Sequence, residues 1–383
     1  MAEQRGCTQC GACVNACPVF RHTRREEYSP KAKQGVLAFA DKGEPGLDPK
    51  KCVALAGRCV CCERCLLACP RNLSVPEALS KARQRRPRLG QYFWREWIRR
   101  GAVAWPLAAK AAPLAPGVLL PERLRILRAS ALAMTPPPRA KPWLTLEVSR
   151  MSKRLKTVIF GGCTATRLRP VWMKAADGIL EKLGTERCSA SGFTCCGGTY
   201  AHAGMLESSR EAAKINLAWW RGLGKPAVVV FCASCVHSLR RYAQMGIMDR
   251  LDAREWLNAV TPLSTLLGGA KATLTNNAPS VPVYHSPCHW GDSDPDFVWL
   301  KSVLPEMVKG VSLCCGFGGV MKLLEPLLSA DLASACWKGM EDGSPGHVSA
   351  LTGCGGCVLQ LAAHAPEHGG KAHEIRHWLD CIA

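Results

Sequence analysis

The sequence predicts a multidomain α+β fold, with a small N-terminal α-helical domain followed by two duplicated α/β domains with parallel sheets. Two observations lead to this prediction. Two matched cysteine runs lie within the first 70 residues, and beyond residue 156 short strands alternate with amphipathic helices. Such alternation is typical of parallel sheets. One cysteine pattern also occurs twice in that second part, which indicates a duplication.

The two N-terminal runs share the spacing Cys-x2-Cys-x2-Cys-x3-Cys-Pro. Three closely spaced thiolates can bind three corners of one iron–sulfur cubane, and in two-cluster ferredoxins the fourth cysteine ligates the other cluster. The spacing therefore predicts a ferredoxin-like domain with two cubane clusters, which transfer electrons one at a time. The predicted ligands are Cys7, Cys10, Cys13 and Cys69 for one cluster, and Cys59, Cys62, Cys65 and Cys17 for the other.

Paired zinc sites and a disulfide framework are the alternatives for these runs. Zinc sites usually contain two Cys-x2-Cys pairs that lie well apart, and they lack the Cys-Pro ending. A chain of 383 residues with 23 cysteines is too long for a small disulfide-stapled module. The N-terminal residues contain neither an apolar signal core nor a twin-arginine motif. We therefore expect a reducing cytoplasm, where thiolates remain available to iron.

The formal net charge of +20 bears on the class of partner. The chain contains no helix-turn-helix or RNA-binding signature, so we expect no nucleic-acid partner. We expect part of the charge to balance anionic clusters, and another part to face an anionic membrane surface or an acidic partner. The apolar segment 101–120 is interrupted by Lys110 and three prolines, whereas a membrane span needs about 20 apolar residues.

Composition divides the chain into the ferredoxin-like domain, a bridge and two α/β domains. In the first part we predict a helix over residues 30–40 that ends at Gly43. The bridge is basic and rich in tryptophan and proline, so we expect short helices broken by prolines. The predicted boundaries are 1–80 for the ferredoxin-like domain, 81–150 for the bridge, 151–270 for the first α/β domain and 271–383 for the second.

In the α/β part, four predicted strands lead directly into cysteines. Helices over 170–183 and 203–220 are predicted to cover the sheets. Parallel sheets bind ligands beyond the carboxyl ends of their strands, where helix N-termini also point, so the cysteines are expected at binding sites. The four strands are predicted at residues 157–160, 227–231, 281–284 and 347–351.

The cysteines of this part form two copies of one five-residue pattern, offset by 125, 119 and 122 residues. Glycines follow the adjacent cysteine pair in each copy. Glycine lets the backbone approach a bulky inorganic group, and its N–H can donate to cluster sulfurs. The predicted metal ligands are Cys163, Cys195, Cys196, Cys232 and Cys235 in the first copy, and Cys288, Cys314, Cys315, Cys354 and Cys357 in the second.

Five cysteines per copy exceed the four that a cubane requires. Either one thiol per copy is a buried bystander, or each cluster has a fifth ligand, which the recurrence of the whole pattern favours. For His202, His285 and His289 we expect hydrogen bonds near the clusters rather than ligation. Ordinary thiols are expected outside the motifs, with cluster contact as the alternative for Cys61; these cysteines are Cys52, Cys61, Cys188, Cys336 and Cys381.

These residues carry a family resemblance. The first-copy spacing, Cys-x31-Cys-Cys-x35-Cys-x2-Cys, resembles the cysteine-rich CCG domain of heterodisulfide reductase. The full order of motifs resembles the iron–sulfur subunit of glycolate oxidase, in a wider group with those of lactate-utilisation and anaerobic glycerol-3-phosphate dehydrogenases. The resemblance covers nearly the full length, including Leu-Pro-Glu-Arg-Leu at 120–124 and Arg-His-Trp-Leu at 376–379.

The resemblance implies two cubane [4Fe–4S] clusters in the N-terminal domain. It also implies one or two further [4Fe–4S] clusters in the CCG domains, which are non-cubane in heterodisulfide reductase. Two departures from the family patterns matter. Only 25 residues separate Cys288 from Cys314, fewer than in the heterodisulfide reductase pattern. Conversely, Cys232 and Cys354 are present, whereas many glycolate-oxidase-like subunits lack the first cysteine of that pair.

The bridge has two interpretations. Residues 81–100 hold eight basic side chains against Glu96 alone, with four aromatic residues between them. Basic residues beside tryptophans suit a membrane surface. The alternative is a helix that packs its aromatic side on the cluster domains, and the sequence pattern leaves both open.

The chain lacks a G-x-G-x-x-G motif after a strand, a Ser-His-Asp set and a carboxylate pair, so we predict no catalytic residue and no organic cofactor site. The leading hypothesis is an iron–sulfur electron-transfer subunit of a flavin-linked lactate or glycolate dehydrogenase. Its partners would be an FAD-containing subunit and a quinone or another redox carrier, in the cytoplasm with peripheral contact to the cytoplasmic face of the membrane. The alternative is a heterodisulfide-reductase-like thiol/disulfide reductase with chemistry at a non-cubane cluster, and a basic scaffold with structural metal is a third hypothesis.

Overall fold

A computed structural model describes residues 6–42, 46, 48–87, 89–138, 141–151, 154–279, 281–311, 313–342 and 346–382. The predicted end of the second helix at Gly43 lies outside these residues. Within the described ranges, no helix combines the length and the apolar character needed to cross a bilayer.

The N-terminal domain is helical, as predicted. Its longer helices pack around a small apolar core that includes Leu37 and Leu79. A local cap starts the last of these helices: Ser74 Oγ accepts a hydrogen bond from the Glu77 N–H at 3.2 Å, and Pro76 occupies the first turn that follows. The helices are α1 (Pro18–Thr23), α2 (Pro30–Lys42), α3 (Pro49–Ala56), α4 (Arg64–Leu67) and α5 (Val75–Arg85).

Helix α5 crosses the predicted boundary between residues 80 and 81. Its apolar face, with Val75, Leu79 and Ala82, stays buried on the N-terminal core, so packing continues the helix beyond the change in composition. On its last turns, Arg83 donates a hydrogen bond to the carbonyl of His202 in the first α/β domain. The helix therefore connects the two domains.

The bridge consists of short helices, but Pro106 lies inside one of them instead of ending it. Tertiary contacts hold the chain helical across this proline: the Trp105 Nε1–H donates to the Trp97 carbonyl at 3.1 Å, and the guanidinium of Arg167 lies 4.9 Å from the Trp105 ring centroid. The break comes later, in a 3-10 turn at Ala112–Leu114. The helices are α6 (Leu89–Arg99), α7 (Gly101–Ala111) and α8 (Glu122–Leu132).

The first α/β domain follows strand β1 (Leu144–Glu147) and contains a four-stranded parallel sheet in the order β3-β2-β4-β5. The predicted helix over 203–220 is split, because Gly204 takes a left-handed φ of +80° between two helices. The elements are β2 (Lys156–Phe160), α9 (Gly162–Arg167), α10 (Pro170–Lys182), β3 (Glu186–Cys188), α11 (Gly198–His202), α12 (Leu206–Gly222), β4 (Ala227–Val230), α13 (Ala233–Arg240), α14 (Arg250–Ala259) and β5 (Val260–Pro262).

The second α/β domain repeats this topology after strand β6 (Lys271–Leu274). Its parallel sheet has the order β8-β7-β9-β12, in which each strand corresponds to one of the first domain. The predicted duplication is therefore present in the fold. The elements are β7 (Val283–Tyr284), α15 (Pro295–Val303), β8 (Val308–Lys309), α16 (Met321–Leu324), α17 (Pro326–Glu341), β9 (Ser349–Thr352), α18 (Gly355–Ala362), β10 (Glu367–His368), β11 (Lys371–Ala372) and β12 (Glu374–His377).

The two α/β domains face each other at the cysteine-bearing ends of their sheets. The Ala233 N–H donates to the Gly353 carbonyl at 2.9 Å, and the Trp172 Nε1–H donates to Asp380 Oδ1 at 2.7 Å. Apolar side chains from both sheets belong to one continuous core. Strands β1 and β6 add a small antiparallel sheet that the sequence analysis did not anticipate, and it ties the end of the bridge to the second domain.

Candidate metal centres

The structure brings Cys7, Cys10, Cys13 and Cys69 together near the surface of the N-terminal domain. Burial raises the pKa of the Cys13 thiol, and the neighbouring thiols of Cys7, Cys69 and Cys10 raise it further. Cys10 is exposed, and the other three are partly exposed. The first predicted ligand set is thus assembled at a solvent-facing position.

The second predicted set, Cys17, Cys59, Cys62 and Cys65, lines a narrow cavity in the same domain. Burial raises the pKa of Cys65 to about 12, and the nearby thiols of Cys59, Cys17 and Cys13 contribute. The fourth cysteine of each run therefore lies with the three cysteines of the other run, which is the arrangement that the spacing predicted.

Cys61 lies between the ligands of the second set with its backbone in the left-handed region, at φ +54°. Its thiol donates to the Cys59 carbonyl at 3.6 Å, and its hydrogen bond to the Cys59 sulfur lowers the pKa of Cys59 to about 6. Cys61 therefore contacts the predicted ligand Cys59 and is not itself one of the four cysteines of the second set.

The five cysteines of the first CCG pattern meet at the carboxyl ends of β2 and β4. Cys163 lies on α9, Cys195 and Cys196 precede α11, and Cys232 and Cys235 lie at the start of α13. Hydrogen bonds from Cys195 and Cys235 hold the pKa of the Cys196 thiol well below its usual range.

The second pattern has the same arrangement. The Cys314 and Cys288 sulfurs lie 4.0 Å apart, and those of Cys315 and Cys357 lie 3.4 Å apart. Hydrogen bonds from Cys232 and Cys357 hold the pKa of the Cys354 thiol well below its usual range. Because Cys232 belongs to the first domain, this contact joins the two patterns.

One cavity of about 430 Å³ is lined by all ten of these cysteines. Neighbouring thiols influence one another's pKa along one series that crosses from one domain to the other between Cys232 and Cys354. We call this space the ten-thiol cavity. The order of thiols along the series is Cys163, Cys195, Cys196, Cys235, Cys232, Cys354, Cys357, Cys315, Cys314 and Cys288.

The N-terminal domain reaches this cavity through its second cysteine set. Cys17 shares a buried apolar cluster with Cys288 and Cys314, and Cys62 packs against that cluster. The thiol of Cys62 also faces Cys314, which adds to the effect of burial in raising its pKa well above the usual range. All eighteen predicted ligands therefore form one succession, from the surface set through the second set to the ten-thiol cavity.

The donor sets fit iron–sulfur clusters. Every donor is a thiol, and thiolates are the ligands that such clusters use. Glycine also leaves room for the ligand sulfurs. Any side chain at Gly162, whose φ is +67°, would place its Cβ only 2.6 Å from the Cys235 sulfur, so the backbone can approach this thiol only as glycine. The Gly197 and Gly316 N–H groups point at the Cys195 and Cys314 sulfurs, at 3.4 and 3.5 Å. Glycine N–H groups therefore donate to ligand sulfurs in both copies.

Of the three predicted histidines, His285 and His289 take hydrogen-bonding positions, whereas the ring of His202 lines the ten-thiol cavity without a hydrogen bond among the described residues. His289 Nε2 lies 3.3 Å from the Cys61 carbonyl oxygen, and His285 Nδ1 lies 3.3 Å from the sulfur of Cys336. His285 also lies close to the ligand cysteines Cys315 and Cys357. Cys336, which the sequence predicts to be an ordinary thiol, is therefore a buried neighbour of the second site.

Several polar residues at the site had no signal in the sequence. Buried Lys33 donates from Nζ to the Arg58 carbonyl at 2.5 Å and lines the cavity of the second set. Glu63, between two predicted ligands, pairs with Arg241 and His237 of the first CCG domain. Each is an ordinary surface residue type, and only the tertiary fold buries it beside thiols.

Two domain families match the chain. The 4Fe-4S dicluster domain matches residues 3–73, and the cysteine-rich domain matches residues 157–240 and 283–362. The chain joins one dicluster domain to two cysteine-rich CCG domains. Iron–sulfur clusters are the cofactors that these domains imply.

Three relatives are similar to this chain over more than half of its length. It is 24% identical over 435 residues to the Bacillus subtilis protein named "Probable glycolate oxidase iron-sulfur subunit", an alignment that covers 99% of this chain and 93% of that protein. It is 24% identical over 348 residues to a protein of Methanothermobacter marburgensis that is named as a subunit of "Fumarate reductase (CoM/CoB)", covering 86% and 62%. It is 25% identical over 244 residues to "Lactate utilization protein A" of Shouchella clausii, covering 57% and 95%. The resemblance predicted from the cysteine pattern is confirmed.

Proposed function

We propose that this chain is the iron–sulfur electron-transfer subunit of a flavin-linked 2-hydroxy-acid dehydrogenase that acts on lactate or glycolate. An FAD-containing partner oxidises the hydroxy acid, and this chain accepts single electrons and passes them to a quinone or another redox carrier. The observation that carries the proposal is the unbroken succession of thiol sets from the surface to the ten-thiol cavity. The names of two relatives, a glycolate oxidase subunit and a lactate utilization protein, support the substrate class.

In this proposal the two N-terminal sets hold cubane [4Fe–4S] clusters, and the cysteines of the CCG domains hold one or two more. The exposed Cys10 loop suits contact with a protein partner, because electrons can enter there without passing through the interior. The ten-thiol cavity lies at the other end of the succession, which suits it to a terminal acceptor.

We place the protein in the cytoplasm, with peripheral contact to the cytoplasmic face of the membrane. The bridge supports this location. On α6 and its flank, Arg95, Arg99 and Arg100 are exposed beside the apolar side chains of Leu89 and Phe93. Arginines attract anionic lipid headgroups, and apolar side chains insert beneath them.

A second candidate function is thiol/disulfide reduction at a non-cubane cluster. One observation favours it: both five-cysteine patterns line a single cavity, so two metal sites would face one small substrate. A relative is named for the CoM/CoB pair, which supports the same candidate. In this case the chain would itself catalyse the terminal reaction.

The two candidates are separated by purifying the tagged chain anaerobically from its own cells. The electron-transfer proposal expects an FAD protein in the preparation, and bleaching of cluster absorbance when lactate or glycolate is added. Removing the FAD protein with high salt should abolish that bleaching and leave dithionite reduction unchanged. If the separated chain instead reduces a heterodisulfide with reduced viologen dye, the second candidate replaces the first.

A further inference from the structure

The wall of the ten-thiol cavity continues into aromatic side chains of the bridge. Phe93, Trp94 and Trp97 of α6 and Trp105 of α7 line the same space as the cysteines, and we call them the aromatic mouth. The Phe93 and Trp97 rings stack with centroids 6.3 Å apart, and Trp94 meets Phe93 edge-on at 5.1 Å. Phe93 is 60% exposed, so the aromatic wall extends from the cavity to the protein surface.

The aromatic mouth is fixed to the first CCG domain. Arg167 of α9 donates to the Ile98 carbonyl at 2.7 Å and stacks on the Trp105 ring. Trp105 in turn donates to the Trp97 carbonyl at 3.1 Å. These contacts hold the rings in place without a ligand, and a preformed aromatic wall lowers the entropy cost of binding a flat molecule.

A buried cation lines the same cavity. Lys322 is 5% exposed, and its ammonium lies 5.5 Å from the Phe317 ring centroid. Burial lowers the pKa of Lys322 to about 8. Among the described residues its ammonium makes no hydrogen bond or ion pair, and the nearby thiol of Cys315 partly opposes the effect of burial on its pKa. A buried ammonium without such a partner favours an acceptor oxygen from a ligand.

The two helices that carry the mouth also expose apolar side chains to solvent. Leu89, Val103 and Leu107 are 89%, 65% and 59% exposed. Leu89 lies one helical turn before Phe93 on α6, so a molecule with a flat polar head and a long apolar tail could place the head in the mouth and the start of the tail against Leu89. The head of such a molecule must also carry an oxygen atom that can accept a hydrogen bond from the Lys322 ammonium.

We propose that the aromatic mouth binds a lipid-soluble quinone, which accepts the electrons there. The quinone ring packs against the indoles, and Lys322 donates a hydrogen bond to a ring carbonyl oxygen. The quinone gains two electrons, delivered one at a time, and two protons from water to become the quinol. The electrons come from the hydroxy acid, which the flavoprotein oxidises to the 2-oxo acid, so this inference rests on the proposed function.

The test is quinone binding to the full, cluster-loaded chain under anaerobic conditions. A short-chain ubiquinone is titrated against tryptophan fluorescence, because quinones quench indole emission, and equilibrium dialysis checks the stoichiometry. The variants are Trp97→Leu and Lys322→Met. Their matched controls are Trp219→Leu and Lys309→Met, which lie outside the cavity, and Lys309 also stacks on an aromatic ring.

We expect saturable binding at one site, weakened about tenfold in Trp97→Leu and in Lys322→Met, and unchanged in both controls. Equal iron content in all five proteins excludes misfolding as the cause. Non-saturating quenching, or equal loss in Trp219→Leu, would overturn the proposal. The proposal also fails if Lys322→Met shifts the reduction potential of a cluster and leaves quinone affinity unchanged. The lysine would then stabilise charge at the metal site and would not bind the quinone.

Two further outcomes separate this inference from the proposed function. If lactate or glycolate still reduces the clusters through the flavoprotein while no quinone binds, the mouth is not the quinone site and the dehydrogenase role stands. If quinone binds as expected but no hydroxy acid reduces the clusters, the site stands and its electrons come from another donor. An alkyl disulfide that binds where no quinone does would assign the cavity to the second candidate function.

Discussion

The dicluster domain and the ten-thiol cavity both offer thiol sulfurs, but their cysteines are brought together in different ways. In the dicluster domain, each set combines three cysteines of one short run with one cysteine of the other, and Cys10 faces solvent. In the cavity, ten cysteines converge from two domains, and most are buried, such as Cys315 and Cys354 at 3% exposure. The difference teaches that local spacing can specify a metal set, whereas a shared cavity is specified only by the packing of whole domains.

The largest expected effect comes from removing a cavity thiol. Cys315→Ala should remove one CCG site, with about four iron atoms lost per chain, while the electron paramagnetic resonance signals of the dicluster domain persist. Cys381→Ala, which deletes an equally buried thiol outside every set, should leave the iron content unchanged. Loss of the dicluster signals in Cys315→Ala would show that the two regions do not load independently.

A smaller effect is expected where glycine makes room for a thiol. Gly162→Ala places a Cβ against the Cys235 sulfur and puts alanine in the left-handed region, at a backbone cost of about 1–2 kcal/mol. We expect a lower thermal unfolding midpoint and weaker loading of the first CCG site.

Gly178→Ala is the matched control, because its Cβ would meet no atom and α10 is helical there. It should stabilise the fold by about 0.5–1 kcal/mol. Equal iron content and equal midpoints for the two variants would contradict the close approach at Gly162.

The smallest effect concerns the charge beside the second N-terminal set. Lys33 is 1% exposed, and its charge stabilises a more negative, reduced cluster, so it raises the reduction potential. Lys33→Met should lower the reduction potential of one dicluster centre by roughly 50 mV. For a one-electron couple, this corresponds to about a tenfold change in the equilibrium constant for reduction. Potentiometric titration followed by paramagnetic resonance measures this shift.

Lys31→Met provides the comparison, because Lys31 lies on the same helix but pairs with Glu26 at the surface. Its potentials should match the unmodified chain. A shift of the same size in both variants would mean that net charge, and not the buried position of Lys33, sets the potential.

Much of the architecture followed from local sequence. The parallel strands appeared where β-branched runs lead into cysteines, and the repeated topology followed from the repeated cysteine pattern. Prolines and glycines were less reliable guides to helix ends. Pro106 stays inside α7 because contacts with Arg167 and Trp97 hold the helix. Gly204 interrupts residues 203–220, which the apolar periodicity predicted to be one continuous helix.

The convergence of the two CCG patterns had no local signal. Cys232 and Cys354 meet because two sheets turn their carboxyl ends toward each other, and such packing depends on the shapes of entire domains. The roles of Lys33 and Lys322 were equally hidden, since lysine is a surface residue by default and only the fold buries these two. The aromatic residues of the bridge were noted in the sequence, and the structure adds that they line the cavity.

The central claim is that the thiol succession, including the ten-thiol cavity, holds iron–sulfur clusters. Iron and acid-labile sulfide content of the anaerobically purified chain tests it most directly. With two clusters in the dicluster domain and one or two in the cavity, we predict about 12 to 16 iron atoms and as many sulfides per chain. About eight of each, or zinc in place of iron, would contradict the claim.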